Sequence, residues 1–284
     1  MPPFTSLEGQ KKHLGGFSVS RLIPQPACRS IGPFVFFDAL GPADFESGQG
    51  IDVRPHPHIG LATITWLFEG ALTHRDSLGT VIDITPGAVN WMHAGHGITH
   101  SERTPDDARA SGHRIHALQA WVALPRSHEE TDPSFQHVAA ADLPVITEGG
   151  ATITLIAGTL GAHASPVVYP HPILYAHVRL EAGASLELPP EWGERAVYLL
   201  SGDAGIGGQP LTPSALAILP QGPATLSTAG GCQLMILAGS PMAEPRHIEW
   251  NFVHHDKAAI AAAVARWREG GFPMVPGETE FIPY

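Results

Sequence analysis

The apolar residues of this chain come in short, mostly β-branched runs that stop at turn residues before reaching the length of an ordinary helix. Leu61–Phe68 halts at Glu69-Gly70, Val81–Ile84 at Thr85-Pro86-Gly87, and Ile115–Leu124 at Pro125. After an irregular stretch from Pro125 to Pro144, the pattern resumes with Thr152–Ile156, Ile173–Leu180, Ala196–Leu200, Ala215–Leu219 and Gln233–Leu237. Runs at intervals of roughly ten residues with turn signals between them predict antiparallel strands in a sandwich or barrel. The 31 glycines and 27 prolines supply the turns. One helix is predicted, over Ala258–Glu269, with Ile260, Val264 and Trp267 on one face. Asp256 is its N-cap, and Gly270-Gly271 followed by Pro273 is its stop. The fold class is therefore all-β with a C-terminal helix. At 284 residues the chain allows one large domain or two modest ones.

Within the strand pattern, two short pairs carry chemistry. His56-Pro57-His58 and His100-Ser101-Glu102 each place two donor groups at i and i+2, which a strand puts on one face. Two such strands facing each other across a barrel would converge three imidazoles and one carboxylate. Neutral imidazoles with a carboxylate suit iron(II), and also nickel, cobalt, copper, manganese or zinc. A closed structural zinc site more often uses thiolates. The two cysteines here, Cys28 and Cys232, stand far apart and are expected to pack in the core.

Composition narrows the partners. Lys plus Arg number 16 against 27 Asp plus Glu, and the net charge of −11 argues against a nucleic-acid backbone as a direct partner. No run approaches a membrane span, and Met1–Gly16 is polar, with no leader-like apolar run. With so few cysteines, a reducing, cytoplasmic setting is expected.

The halves look like variants of one plan. Trp66-Leu67-Phe68-Glu69-Gly70 has a counterpart in Tyr198-Leu199-Leu200-Ser201-Gly202. Superposing them sets His56 opposite Leu188 and His58 opposite Pro190, which predicts a second barrel without ligands.

Ordered motifs surround the ligand pairs. Gly32-Pro33-Phe34-Val35-Phe36-Phe37-Asp38, Arg54–Gly60 and His74-Arg75-Asp76-Ser77-Leu78-Gly79 come first. Pro86–Met92 and Ala94–Arg103 follow, and near the end stands Glu249-Trp250-Asn251-Phe252-Val253. This set resembles the pirin family, a branch of the cupin superfamily, most densely from about Arg29 to Pro125. The resemblance implies two antiparallel cupin-type (jelly-roll) barrels. Residues 1–140 would form a metal-binding barrel, and residues 141–284 a barrel without ligands plus the terminal helix. It implies one metal ion held by His56, His58, His100 and Glu102, with Glu102 replacing the glutamate that ordinary cupins carry where Ala62 and Thr63 stand. It also implies an oxidoreductase, a dioxygenase of the quercetin 2,3-dioxygenase type. Such an enzyme would open a flavonol with dioxygen and release carbon monoxide, using Glu102 as catalytic base. The substrate would be a small apolar aromatic molecule.

The alternative is a non-catalytic, iron-dependent regulator that binds a protein partner such as a transcription factor. His93 and His96 stand where many pirins have a small polar residue and an arginine, and are expected near the entrance. His74, His113 and His116 are read as pocket-lining, supporting or surface groups. Arg75 and Asp76 are expected to fix a turn through a salt bridge, Trp66 and Trp91 to fill core or pocket wall, and Glu129-Glu130-Thr131-Asp132 to form a solvated loop.

Overall fold

The structure, a computed structural model, describes residues 3–14 and 16–284. It is built almost wholly of antiparallel strands, as the short β-branched runs require. Val81–Ile84, Ile173–Leu180 and Ala215–Leu219 form strands with the expected bounds. Leu61–Glu69, His113–Ala123, Ala151–Leu160, Glu194–Gly202 and Cys232–Gly239 extend the remaining runs by a few residues. The stretch after Pro125 is less irregular than expected: Ser134–Val138 pairs antiparallel with Val89–His93. Its Ser-Phe-Gln-His-Val sequence lacks an apolar run because only Val138 is buried.

The chain divides into two compact units. The first contains Lys11–Ser20, Phe36–Ala140 and Met242–Tyr284. The second contains Arg21–Val35 and Ala141–Pro241, together with the residues up to Gln10. A boundary falls between Ala140 and Ala141, while the segment up to Gln10 and Arg21–Val35 group with the second unit and Met242–Tyr284, with the terminal helix, groups with the first.

In the first unit a seven-stranded sheet runs in the order Ser134–Val138, Val89–His93, Leu61–Glu69, His113–Ala123, Phe34–Phe45, Ser18–Ile23, Gln10–His13. A four-stranded sheet runs Asp52–His58, Ile98–Arg103, Leu72–Asp76, Val81–Ile84. The two are separate hydrogen-bonded sheets, so the jelly roll is not a closed barrel. Between them, at one end, Leu40, Leu67, Leu72, Ile84, Ile115 and Ala117 pack as hydrocarbon.

The second unit repeats the plan. Its large sheet runs Thr5–Glu8, Ala215–Leu219, Glu194–Gly202, Cys232–Gly239, Ile173–Leu180, Ala151–Leu160, Val145–Glu148. Its small sheet runs Ser185–Leu188, Ala224–Ser227, Gly205–Ile206, Gln209–Pro210. The strands Leu61–Glu69 and Glu194–Gly202 hold equivalent places, third in their sheets. Where the first unit pairs Thr65 with Gln119, the second pairs Val197 with Ile236. Leu188 and Leu226 are fully buried on its small sheet. Its interior is mainly hydrocarbon, with the buried Arg195 guanidinium donating to the carbonyls of Leu188, Pro220 and Gly222.

The terminal helix spans Lys257–Arg268. Asp256 caps it by accepting from the Ala258 N–H at 2.8 Å. Ile260, Ala263, Val264 and Trp267 are its buried residues and pack with Ile59, Phe252 and Phe272. No helix among the described residues is long and apolar enough to cross a membrane.

Candidate metal centre

His56 and His58 lie at the end of the strand Asp52–His58, and His100 on the adjacent strand Ile98–Arg103. The expectation that the two pairs face each other across a barrel is corrected here. They sit on hydrogen-bonded neighbours of one sheet, with His56 directly opposite His100 and His58 opposite Ile98. Direct cross-strand partners lie close on one face, so adjacency brings the imidazoles together more tightly than a span across the interior would. The register breaks between His100 and Glu102.

The three ring nitrogens fall within 4.8 Å of one another, and the Nε2 atoms of His58 and His100 are 3.0 Å apart. All three side chains are buried. Burial pushes His56 down to about 4, against a backbone bond to Arg54 that raises it. It also holds His58 and His100 well below the usual histidine range. These imidazoles are therefore neutral near pH 7 and have lone pairs to offer.

Hydrogen bonding decides which nitrogen offers one. His56 Nδ1 lies 2.9 Å from the Arg54 carbonyl and His58 Nδ1 lies 3.0 Å from the Asn251 carbonyl. A carbonyl only accepts, so both Nδ1 atoms carry the proton and both Nε2 atoms carry a lone pair. His100 Nδ1 lies 3.5 Å from His74 Nδ1, and His74 Nε2 donates to Asp76 Oδ2 at 3.1 Å. With the His74 proton on Nε2, the His100 proton sits on Nδ1 and its lone pair also faces inward. Two such lone pairs 3.0 Å apart repel unless a cation lies between them. About 3.0 Å is also the separation of two nitrogens at right angles on a cation with bonds of about 2.1 Å. The donor set fits a divalent transition metal.

Glu102 reaches the interior from the same strand as His100. Its Oε1 accepts from Thr65 Oγ1 at 3.2 Å, and Thr65 Oγ1 lies 3.1 Å from Gln119 Oε1. Burial raises the Glu102 carboxyl, against the lowering influence of His74, Thr65 and Gln119. Glu102 thus stands beside the imidazole cluster, while the mutually close donors are the three histidines. Trp121 meets His58 edge-on at 5.1 Å and stacks on Phe36 at 3.9 Å, giving the cluster an aromatic wall.

Some residues around the site take other partners than expected, and others fall where the sequence places them. Asp76 makes no salt bridge with Arg75; it accepts from His74 and from the backbone N–H groups of Leu78 and Thr80. It does fix the turn. Burial pushes its carboxyl up, but these bonds outweigh burial and leave it below its ordinary range. His93 Nε2 meets Thr131 Oγ1 at 2.9 Å and His96 Nε2 meets Asp132 at 3.2 Å, so a strand end and the loop after it are both tied to the Thr131-Asp132 segment, outside the cluster. Trp66 and Trp91 are buried. Cys28 and Cys232 are buried free thiols.

Glu129 overturns the expectation of a solvated loop. It is 1% exposed and paired with Arg246 at 2.9 Å. His255 Nδ1 bonds it as well. Sequence reasoning missed this cluster because its partners lie more than 100 residues away. Among the described residues the groupings that could hold a metal are His56/His58/His100 and Glu129/His254/His255, and neither lies in the second unit.

Comparison with known proteins completes the picture. Residues 16–122 match the Pirin family, and residues 175–273 match the Pirin C-terminal cupin domain. A pirin-like protein of Caulobacter vibrioides is 45% identical over 282 residues, covering 97% of each chain. A Pseudomonas aeruginosa protein provisionally named quercetin 2,3-dioxygenase is 41% identical over 260 residues, covering 90% of this chain and 80% of its own. A crystal structure of quercetin 2,3-dioxygenase from Acinetobacter baumannii superposes with a TM-score of 0.91 at 32% identity, covering 99% of this chain and 94% of that one. With both domains matched in order and near full-length identity to a pirin-like protein, this chain belongs to the pirin family.

Proposed function

We propose that this protein is a metal-dependent dioxygenase that opens a flavonol such as quercetin with dioxygen. The observation that carries the proposal is the inward-facing set of three neutral imidazoles beside the Glu102 carboxylate. Two relatives named for the same reaction support it. His56, His58, His100 and Glu102 would hold the metal, with iron(II) first among the ions this donor set suits. When bound, the metal would supply Lewis acidity toward a chelating enol and a site for dioxygen.

The chain's own residues do the rest. The half-buried Glu102, its basicity raised by desolvation, takes the proton of the flavonol 3-hydroxyl. Thr65 and Gln119 hold that carboxylate in place before and after the transfer. Trp121 and Phe36 offer a flat apolar wall for the flavonol rings. His74 and Asp76 keep the His100 ring in the tautomer that presents Nε2. Two buried free cysteines accord with a cytoplasmic setting.

The test is to load the metal-stripped protein with each first-row divalent ion in turn. Quercetin absorbance, oxygen uptake and carbon monoxide release are then followed together. Turnover with at least one metal is expected, and no turnover with any of them refutes the proposal.

A further inference from the structure

The carbonyl that sets the tautomer of His58 comes from far along the chain, from Asn251 in the hairpin His247–Glu249/Phe252–His254. Three features hold that carbonyl in place. The backbone at Trp250 is left-handed, with φ of 53°, which a bulky side chain rarely adopts. Its ring is held among Phe252 at 5.5 Å, Tyr284 at 5.3 Å and Trp267 at 6.3 Å. Strain of this kind persists where the surroundings over-determine it, and it gathers at functional sites.

The hairpin also presses on the ligand strand. Phe252 bridges Ile59, and the Val253 N–H donates to the Ile59 carbonyl at 3.2 Å. At Gly60 a Cβ would lie 1.9 Å from the Val253 carbonyl oxygen, so only glycine admits this approach two residues after His58. Beyond the hairpin, Glu129 latches its far end. One carboxylate takes Arg246 Nε at 2.9 Å, the His255 N–H at 2.9 Å and His255 Nδ1.

The latch is closed to metal by its own bonding. The Asp256 N–H donates to His254 Nδ1 at 3.0 Å, so His254 carries its proton on Nε2, which faces Glu130 Oε1 at 3.1 Å. Both ring nitrogens of His254 and both carboxylate oxygens of Glu129 thus already have protein partners.

We propose that Glu129 and Trp250 are positioning residues for the metal centre: together they fix the Asn251 carbonyl that orients His58. The proposal rests on reading the three imidazoles as metal ligands, which the loss of metal from His56→Ala tests separately. The experiment uses full-length protein, wild type, Glu129→Gln and Trp250→Gly. Nickel(II) and cobalt(II) are the probes. Dissociation constants come from chelator competition, and the ligand-field spectrum of the cobalt form is recorded. Thermal unfolding of each metal-free protein is measured alongside.

Each variant is expected to bind metal about 10-fold more weakly, the usual effect of losing a partner that orients a ligand, and to shift the cobalt bands. A merely structural role would lower the unfolding temperature and leave affinity and spectrum unchanged. That result in both variants overturns the proposal. Should Glu129→Gln fail to fold, Trp250→Gly decides alone, since glycine relieves the left-handed backbone. If wild type binds one metal and His56→Ala does not, a null result in the variants falls on the positioning role and not on the site.

Discussion

Stripped of metal, the first unit should become sharply acid-labile. The perturbation is a fall in pH from 7 to 5. An unfolded chain protonates histidine near 6.5, whereas burial holds folded His56 at about 4. Between those values the unfolded chain binds a proton that the folded one refuses, so protons drive unfolding. This contribution to stability is complete above 6.5, falls away as the pH drops, and levels off below about 4. The gap of about 2.5 in pH corresponds to about 3 kcal/mol at roughly 1.4 kcal/mol each.

His58 and His100 are displaced the same way, so they add to the loss. A domain's whole stability is about 5–15 kcal/mol. The second unit holds one comparable imidazole, His177 at about 4, and should weaken less. The assay is urea unfolding of chelator-stripped protein at pH 7, 6 and 5, with hydrogen exchange to separate the units. Near pH 5.5 His56 alone should contribute a slope of about 1.2 kcal/mol per pH unit. His56→Leu should flatten the curve by that amount, whereas metal loading should raise the stability at each pH without flattening the slope, because metal-bound imidazoles also refuse protons. Equal unfolding midpoints at pH 7 and pH 5, or an unchanged slope in His56→Leu, would refute the reasoning.

Other outcomes are expected from the same geometry. His56→Ala should lose most of its bound metal, read by elemental analysis of protein purified without added metal, because one inward lone pair disappears. Thr65→Val keeps the shape of the side chain but takes a donor from Glu102, and should lower turnover about 10-fold with an unchanged circular dichroism spectrum. Trp121→Leu should raise the KM for quercetin about 2- to 10-fold while metal content stays at one per chain, since a lost aromatic contact is worth about 0.5–1.5 kcal/mol.

The spacing of His56, His58 and His100 was legible because a strand repeats every two residues, whatever sheet it joins. Which strands lie side by side was not. The pairing of His56 with His100 is a long-range register between residues more than 40 apart, which no local pattern signals. The hydrocarbon interior of the second unit was visible in the alignment of Trp66–Gly70 with Tyr198–Gly202, since both segments end strands in equivalent places. Glu129 looked solvated because it stands among Glu130, Thr131 and Asp132, while its partners Arg246 and His255 lie more than 100 residues further along the chain. The strand Ser134–Val138 was hidden for a related reason, as it shows the solvent mainly polar side chains. The grouping of the terminal helix with the first unit depends on contacts to Ile59 that no local pattern announces.

The hydrogen bond from His58 to the Asn251 carbonyl spans 193 residues. On a ribosome adding about 5–20 residues per second, roughly 10–40 s separate the two. For that interval the three histidines exist without the carbonyl that orients His58. The nascent chain therefore presents the three histidines before the His58 tautomer is set, and a chain stalled before Asn251 would keep them without that carbonyl.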